Sequence, residues 1–292
     1  MQSAATVLVT TASGNLGAAT TAELLALGVT VRAGDRDPDR AAERHPGAEP
    51  VHLDLTEPVT FARALAGVDR VLLVRPPAVA RVGPTLNRFL DAAVRAGVEH
   101  VVFSSVAGAE HNRLVPHHRV EQHLFATGLG WTVLRPGFFA QNLGSAYRDD
   151  LRDADRIHLP AGDGRVAFVD VRDLGELAAD ILTEPAAHRA EAYTLTGPEA
   201  LSFEEVAQLL TVELGRPIRY EPASIPGYLR HLRAQGHSLG RCAVQTLLHA
   251  GLRRGDAAEV DPTLERLLDH PPRRLRDYVR DHRELWLRRS AG

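Results

Sequence analysis

The chain has 292 residues, of which 44% are hydrophobic and 24% are charged, a composition ordinary for a globular protein with a large core. The net charge of −3 argues against a nucleic-acid partner, and no apolar run approaches the roughly 20 residues that span a bilayer. No basic segment precedes the first apolar run, and Cys242 is the single cysteine. We therefore expect a cytoplasmic protein without a signal peptide, disulfide or membrane partner.

The chain contains no lysine, so all 34 basic residues are arginine. This bias, together with abundant alanine, glycine and leucine, is typical of a genome rich in G and C. It also limits the chemistry, because no lysine can serve as a base or form a Schiff base. A dehydrogenase mechanism that depends on a Tyr-x-x-x-Lys pair is excluded.

Short apolar strands alternate with helices through the first half of the sequence. The predicted strands are 7–9, 29–34, 50–53, 68–74, 98–105 and 131–135, and the predicted helices are 18–27, 61–66, 85–96 and 120–126. This alternation predicts an α/β fold with a doubly wound parallel sheet of the Rossmann type and right-handed crossovers.

The pattern loosens after Pro136. Strands are predicted at 165–169 and 192–195, and helices at 173–182 and 203–214, with Ser202 and Glu205 forming a capping box. Residues 141–160 and those from 215 onward lack sheet signals. We therefore divide the chain into a dinucleotide-binding core, 1–140, and a mixed region, 141–292. The mixed region is expected to complete the sheet edge at about 165–200 and to form a smaller α/β cap over the substrate.

The turn after the first strand has the order strand, glycine turn and helix that a dinucleotide-binding site requires. Gly14 lets backbone N–H groups approach a pyrophosphate, and Gly17 lets the helix pack closely on the strand. Thr11 stands where the fingerprint has its first glycine. A β-branched residue resists positive φ, so we expect a turn that does not need it, with the hydroxyl bonded to a phosphate or within the turn. The predicted cofactor contacts here are Thr11, Ser13, Gly14, Asn15, Leu16 and Gly17.

Six segments, in order, resemble one family, and a seventh continues the match. They are Thr-Ala-Ser-Gly-Asn-Leu-Gly (11–17), Val-Arg-Ala-Gly-Asp-Arg (31–36), Asp-Leu (54–55), Val-Val-Phe-Ser-Ser (101–105), Trp-Thr-Val-Leu-Arg-Pro-Gly-Phe-Phe-Ala-Gln-Asn (131–142), Val-Asp-Val-Arg-Asp-Leu (169–174) and Ala-Tyr-Thr-Leu-Thr-Gly-Pro (192–198). Over roughly residues 5–220 the chain resembles the NmrA-like branch of the atypical short-chain dehydrogenase/reductases. That family includes quinone and isoflavonoid reductases as well as cofactor-sensing regulators.

The end of the second strand bears on the choice of cofactor. Asp35 stands where a carboxylate accepts hydrogen bonds from the adenine-ribose hydroxyls of NAD. Arg36 occupies the position that, in the family, usually pairs with the 2′-phosphate of NADP. Because a carboxylate repels such a phosphate, we expect NAD(H) to be favoured slightly over NADP(H). The alternative is that both residues are merely exposed polar groups of a turn.

Other cofactor contacts follow from the resemblance. It places Asp54 and Leu55 near the adenine, and Arg75 and Pro76 beside the central riboses. Arg75 either reaches a phosphate or an anionic substrate, or is a solvated loop arginine. Ser104, at the end of the fifth strand, completes the set.

Candidate catalytic groups follow the fifth strand. Ser105 lies near the serine position of classical dehydrogenases, and His117 stands four residues before Glu121. This spacing matches the histidine form of the family's Lys/His-x-x-x-Glu pattern. We predict that His117 donates a proton or orients the substrate, because its ordinary pKa lies near neutrality. A histidine bonded to backbone at a helix start is the alternative. The neighbouring histidines do not repeat a metal-binding spacing, and no metal is predicted.

The resemblance places the residues after the sixth strand beside the nicotinamide. Phe138 and Phe139 would offer flat apolar surfaces, one of them being expected in the core, and Asn142 would hydrogen-bond a carbonyl or phenol. Tyr147 is a further catalytic candidate at the same cavity.

These features predict an NAD(P)(H)-dependent oxidoreductase acting on a planar aromatic or quinone-like small molecule. A tailoring step in bacterial aromatic polyketide biosynthesis, either quinone redox or ring hydroxylation, suits the inferred genome. The alternative is a non-catalytic redox sensor that reports the cofactor's state to a partner. A third alternative, kept by Thr11, is a member that binds no dinucleotide. Whether the chain forms a homodimer or binds a partner enzyme is left open.

Overall fold

The structure is a computed structural model that describes residues 5–288, so Met1–Ala4, part of the segment behind the signal-peptide expectation, lie outside the described residues. Its strands are β1 (Thr6–Thr10), β2 (Thr30–Asp35), β3 (Glu49–His52), β4 (Arg70–Val74), β5 (His100–Ser104), β6 (Gly130–Pro136), β7 (Phe138–Phe139), β8 (Arg156–Leu159), β9 (Arg165–Val169), β10 (Glu191–Leu195), β11 (Ala200–Ser202) and β12 (Arg219–Pro222). None of the described helices is long and apolar enough to cross a membrane.

The α-helices are numbered in the same way. They are α1 (Asn15–Ala26), α2 (Pro38–Arg44), α3 (Phe61–Leu65), α4 (Arg88–Ala96), α5 (Pro116–Ala126), α6 (Arg148–Ala154), α7 (Val171–Thr183), α8 (Phe203–Leu214), α9 (Ile225–Ala234), α10 (Leu239–Leu252), α11 (Thr263–Leu267) and α12 (Leu275–Asp281). A π-helical turn, Gly83–Asn87, leads into α4, so the helix predicted at 85–96 is regular only from Arg88.

The chain divides into two compact units. The first runs to Pro136 and takes in Val171–Leu195, and the second comprises Gly137–Asp170 and the chain from Thr196 onward. This division falls at 136/137, close to the expected boundary at 140/141, and a later segment returns to the first unit. The cause is a hydrogen-bonded pairing, because β10 joins the large sheet beside β6.

The first unit is built on a seven-stranded sheet in the order β10-β6-β5-β4-β1-β2-β3, with every pair of neighbours parallel. This confirms the predicted doubly wound Rossmann-like fold. From β1 the strand order runs outward in one direction through β2 and β3, and in the other direction through β4, β5 and β6. Open α/β sheets bind ligands at such a switch point, at the carboxyl ends of the strands. α1 and α7 pack together where Gly175 lies, since a Cβ there would come within 2.7 Å of the Ala19 Cβ.

One helix of this unit was not predicted. In α2, Asp37 accepts a hydrogen bond from the Arg40 N–H and Pro38 occupies the first turn. The helix is polar over most of its length, so its sequence signal is the cap and the proline rather than an apolar period.

The second unit contains a three-stranded sheet, β11-β9-β7, and a parallel pair, β12-β8. Of the region at about 165–200 that was expected to complete the edge of the large sheet, β10 does so by pairing with β6, whereas β9 pairs with β7 and β11 instead. β7, β8, β11 and β12 were not predicted, since strands of two to four residues show little alternation. Large aromatic side chains fill the core of this unit: Tyr147, Phe168, Phe203, Tyr228 and Trp286.

Candidate functional site

The turn after β1 closes through a strained residue. The Gly14 N–H donates to the Thr11 carbonyl at 2.8 Å, and Thr11 itself has φ of +51°. The expectation that the turn avoids positive φ at Thr11 is therefore wrong. The Thr11 hydroxyl donates to the Thr10 carbonyl at 2.7 Å, so of the two roles proposed for it, the bond within the turn is the one observed.

Gly17 and Gly14 shape a cradle at the start of α1. A Cβ on Gly17 would lie 2.3 Å from the Thr11 carbonyl oxygen, so only glycine allows this approach of helix to turn. Gly14 is the extended N-cap residue, and in the described chain no side chain caps this helix end. Acidic residues are absent from the first turn. The residues present therefore suit an anionic pyrophosphate at the positive end of the helix dipole.

Asp35 is coupled to this turn. Its Oδ2 accepts hydrogen bonds from the Ser13 N–H at 3.0 Å and the Ser13 hydroxyl at 2.6 Å, while its Oδ1 accepts from the Asp37 N–H at 3.2 Å. Burial opposes ionisation of Asp35, but these bonds hold its pKa below the ordinary value. A fixed negative charge therefore stands at the end of β2. Ser13, expected to touch the pyrophosphate, directs its hydroxyl to Asp35.

The remaining predicted cofactor residues differ in exposure. Asn15 and Arg36 are exposed, whereas Leu16 and Ser104 are buried. Leu55 belongs to the apolar core of the first unit.

Asp54 ties down its own loop. Its Oδ1 accepts from both the N–H and the hydroxyl of Thr56, at 2.8 and 2.7 Å. Burial opposes ionisation, but these bonds hold the pKa of Asp54 below its ordinary value.

Arg75 and His117, given separate roles from the sequence, form a pair. The Nε of Arg75 donates to the Nε2 of His117 at 3.0 Å, and its Nη1 donates to the carbonyls of Val79 at 2.6 Å and Pro76 at 3.3 Å. Burial, followed by the charge of Arg75, lowers the pKa of His117 to about 3. The expectation that the pKa of His117 lies near neutrality is therefore wrong. His117 is neutral at pH 7, and its Nδ1 carries the hydrogen.

A second cluster, which sequence reasoning missed, lies behind Ser105. Glu121 is fully buried and accepts from Arg135 at 3.1 and 2.8 Å, in a bidentate pair. The Ser105 hydroxyl donates to the same carboxylate at 2.5 Å. Burial lowers the pKa of Arg135, but the hydrogen bonds and charge of Glu121 raise it by more. The pKa of Arg135 therefore lies above its ordinary value. The signal available in the sequence was Glu121, an acid next to Val120 and three residues before Leu124, which are the apolar positions that α5 buries.

Tyr147 lies in the second unit, in its core. Its hydroxyl is hydrogen-bonded to the Nε2 of His249, and the Nδ1 of His249 lies 2.6 Å from the Gln245 carbonyl. Because that carbonyl only accepts, Nδ1 carries the hydrogen and Nε2 accepts from Tyr147. Burial raises the pKa of Tyr147 well above its ordinary value. The hydroxyl hydrogen of Tyr147 is thus directed at His249.

Phe138 and Phe139 have different surroundings, as expected of them. Phe138 packs edge-on against Phe168, with ring centroids 5.5 Å apart, and against the core of the second unit. Phe139 and Asn142 are both half-buried, and the Asn142 carbonyl accepts from the Tyr147 N–H at 3.1 Å. Both rings are half-buried, and Phe138 is the one that packs against the core of the second unit.

The sequence matches the model of the NmrA-like family over residues 3–279. The chain belongs to the NmrA-like family. An NAD(P)H azoreductase from Xenophilus azovorans is 31% identical over 281 residues, which cover 94% of this chain and 97% of that one. A (4-alkanoyl-5-oxo-2,5-dihydrofuran-3-yl)methyl phosphate reductase from Streptomyces griseus is 32% identical over 285 residues, or 95% and 98% of the two chains.

A solved structure shares the whole fold. The NADPH complex of an NADPH-dependent quinone oxidoreductase from Escherichia coli superimposes with a TM-score of 0.83 and 26% identity. The match covers 94% of this chain and 98% of that one. It confirms the Rossmann-like fold of an NmrA-like reductase.

Proposed function

We propose that this NmrA-like protein is an NAD(P)(H)-dependent oxidoreductase acting on a planar aromatic or quinone-like small molecule. The observation that carries the proposal is the glycine cradle. Gly17 lies so close to the Thr11 carbonyl that only glycine fits, and no side chain caps the start of α1, so its backbone N–H groups can bind an anion. Relatives named as an azoreductase and a quinone oxidoreductase support the reaction class.

The cofactor would be held by the first unit. The turn at Gly14 would bind the pyrophosphate, and Asp35 would face the adenine ribose, where its charge opposes a 2′-phosphate. This supports NAD(H) as the preferred cofactor. Arg75 donates hydrogen bonds to its own loop and to His117, so we assign it no role in binding a phosphate.

The reduced cofactor, when bound, supplies a hydride to the substrate. His117 acts in this scheme as a hydrogen-bond donor through Nδ1 that orients a substrate or ribose oxygen, since its pKa keeps it neutral. The proton that completes reduction of a quinone comes from water. No Tyr-x-x-x-Lys pair is needed, which agrees with a chain that has no lysine.

The aromatic substrate would contact residues of the predicted set, Phe138, Phe139 and Asn142, all of which are half-buried. A role in tailoring an aromatic polyketide, by quinone redox or ring hydroxylation, is the finer form of the proposal. Its support is the lysine-free, arginine-rich composition typical of GC-rich bacteria.

The test is a calorimetric titration with NAD+, NADH, NADP+ and NADPH, followed by turnover assays with a panel of quinones and azo dyes. Tighter binding of a reduced cofactor, together with its oxidation by at least one quinone, is expected. Saturable binding without turnover across the panel would reject the enzyme. No saturable binding of any of the four nucleotides would reject nucleotide binding altogether.

A second candidate function is the redox sensor. It is favoured by the state of the predicted proton donors: Ser105 donates to Glu121, Tyr147 donates to His249, and His117 is neutral. Tight binding of the oxidised cofactor, with no turnover, is its expected result in the same titration.

A further inference from the structure

α9 and α10 form a helical pair in the second unit and share one outward side. They pack against each other, and both turn their inner sides to the same apolar core, to which Tyr228, Leu232, Cys242 and Leu252 belong. The exposed residues of the two helices therefore point away from this core together. We call these exposed residues, with Arg253 directly after α10, the α9–α10 face.

The outward side of α10 is apolar. Every exposed residue that the structure describes in this helix is apolar or glycine: Leu239, Gly240, Ala243, Val244, Leu247 and Leu248. Val244, Leu247 and Leu248 are 61%, 68% and 65% exposed. A helix at the surface of a globular protein normally carries polar side chains on the side that faces water. A continuous apolar patch in that place marks a surface that contacts a protein or a membrane.

The same stretch of chain is strongly cationic. Residues 222–255 contain five arginines and no aspartate or glutamate. The stretch thus carries +5, whereas the whole chain carries −3 and the remainder therefore −8. A charge distribution of this kind turns the cationic side of a protein toward an anionic surface.

Three of these arginines are not neutralised within the chain. Arg230 and Arg233 donate hydrogen bonds to backbone carbonyls, which carry no net charge. All three of Arg230, Arg233 and Arg253 are exposed, and none forms an ion pair with a residue that the structure describes. Arg254 differs, because its Nη2 lies 3.1 Å from a carboxylate oxygen of Asp256. The α9–α10 face therefore combines apolar side chains with unpaired positive charge.

We propose that the α9–α10 face binds the surface of an anionic lipid bilayer. α10 would lie in the plane of the interface with Val244, Leu247 and Leu248 in the acyl boundary, while Arg230 and Arg233 would contact lipid phosphates. The expectation of no membrane partner was based on apolar runs too short to span a bilayer, and a helix that lies in the interface does not span it.

A protein partner suits this face less well. Protein interfaces carry about one hydrogen bond per 100–200 Å². The exposed side chains that the structure describes in α10 contain no hydrogen-bond donor or acceptor. Acyl chains need none, and the unpaired arginines match lipid phosphates in charge.

The test is co-sedimentation of the full chain with two kinds of vesicle, one of phosphatidylcholine and one of an equal mixture of phosphatidylcholine and phosphatidylglycerol. We expect binding to the mixed vesicles to be about tenfold stronger or more, because only they are anionic. Added salt should weaken it, since the charges are exposed. Equal binding to the two kinds of vesicle, or no binding to the mixed ones, would overturn the proposal.

Val244→Gln removes an apolar side chain from the α9–α10 face. It should weaken binding to the mixed vesicles about fivefold, because the valine no longer leaves water. Val212→Gln is the matched control, since Val212 is 70% exposed on α8 of the same unit, and it should bind like the parent. Equal losses in both variants would overturn the proposal. So would a dimer in sedimentation velocity that Val244→Gln dissociates, because it would assign this face to a second copy.

The arginines are tested by a double variant, Arg230→Gln with Arg233→Gln. It should weaken binding to the mixed vesicles about thirtyfold. Arg88→Gln with Arg95→Gln removes the same charge from exposed positions of α4 in the first unit and is the control. Similar losses in the two double variants would show general attraction of cations to the vesicles and would overturn the proposed face. None of these variants touches the nucleotide turn, so failure here leaves the proposed function standing.

Discussion

The Nε of Arg75 donates a hydrogen bond to the Nε2 of His117 at 3.0 Å, which fixes the tautomer of the histidine and adds a positive charge beside it. The pKa of His117 is about 3, below its ordinary value of 6.5. We therefore expect its NMR signals to show no titration between pH 8 and 5. In Arg75→Gln the pKa should rise, though burial keeps it below 6.5. A midpoint near 6.5 in the unaltered protein would contradict this.

The same depression of the His117 pKa has a consequence for stability. The unfolded chain takes up a proton near pH 6.5 that the folded chain refuses until about pH 3, so stability should fall as pH drops through this window. In His117→Gln the slope of unfolding free energy against pH should be smaller by up to about 1.4 kcal/mol per pH unit. Urea unfolding at several pH values measures it.

Asp35 should control the choice of cofactor. Asp35→Asn removes a charge that opposes a 2′-phosphate but keeps an oxygen able to accept from Ser13. The ratio of kcat/KM for NADPH to that for NADH should rise about tenfold or more. Asp39→Asn, which removes an equal charge from an exposed position of α2, is the control. An unchanged ratio in Asp35→Asn would mean that this carboxylate does not face the adenine ribose.

Glu121 should be a stability residue. Glu121→Gln leaves the Arg135 guanidinium without its buried counter-charge, and such losses cost about 3–5 kcal/mol. Ser105→Ala removes one hydrogen bond and should cost about 1–2 kcal/mol. Glu110→Gln, at an ion-pair distance of 3.4 Å from Arg135 and half-buried, should cost less than Glu121→Gln. Urea midpoints rank the three. A Glu121→Gln variant as stable as the parent would contradict a structural role.

The alternation of strands and helices in the first unit and the glycine turn were predictable because they depend on local patterns: apolar runs, small residues and family-like spacing. Pairings between distant residues were not. Ser13 binds Asp35 and Arg75 binds His117 only because the ends of parallel strands meet at one edge of the sheet. Burial then changes the chemistry of His117: its pKa, expected near 7, falls to about 3, and the uncharged ring can only donate a hydrogen bond through Nδ1. The short strands of the second unit were also not predicted, because such strands are defined by pairing with distant residues, as β8 is by its pairing with β12.

Thr11 tests how much strain the nucleotide turn holds. Its φ of +51° is unfavourable for a β-branched residue, whereas glycine adopts it freely. Thr11→Gly should therefore be more stable than Thr11→Ala by about 1 kcal/mol, because both lose the hydroxyl bond but only glycine relieves the backbone. Thermal unfolding of the two variants measures the difference. Gly17→Ala should instead lose nucleotide binding, because its Cβ would lie 2.3 Å from the Thr11 carbonyl oxygen. If the alanine variant at Thr11 matched the glycine variant in stability, the positive φ would carry no strain.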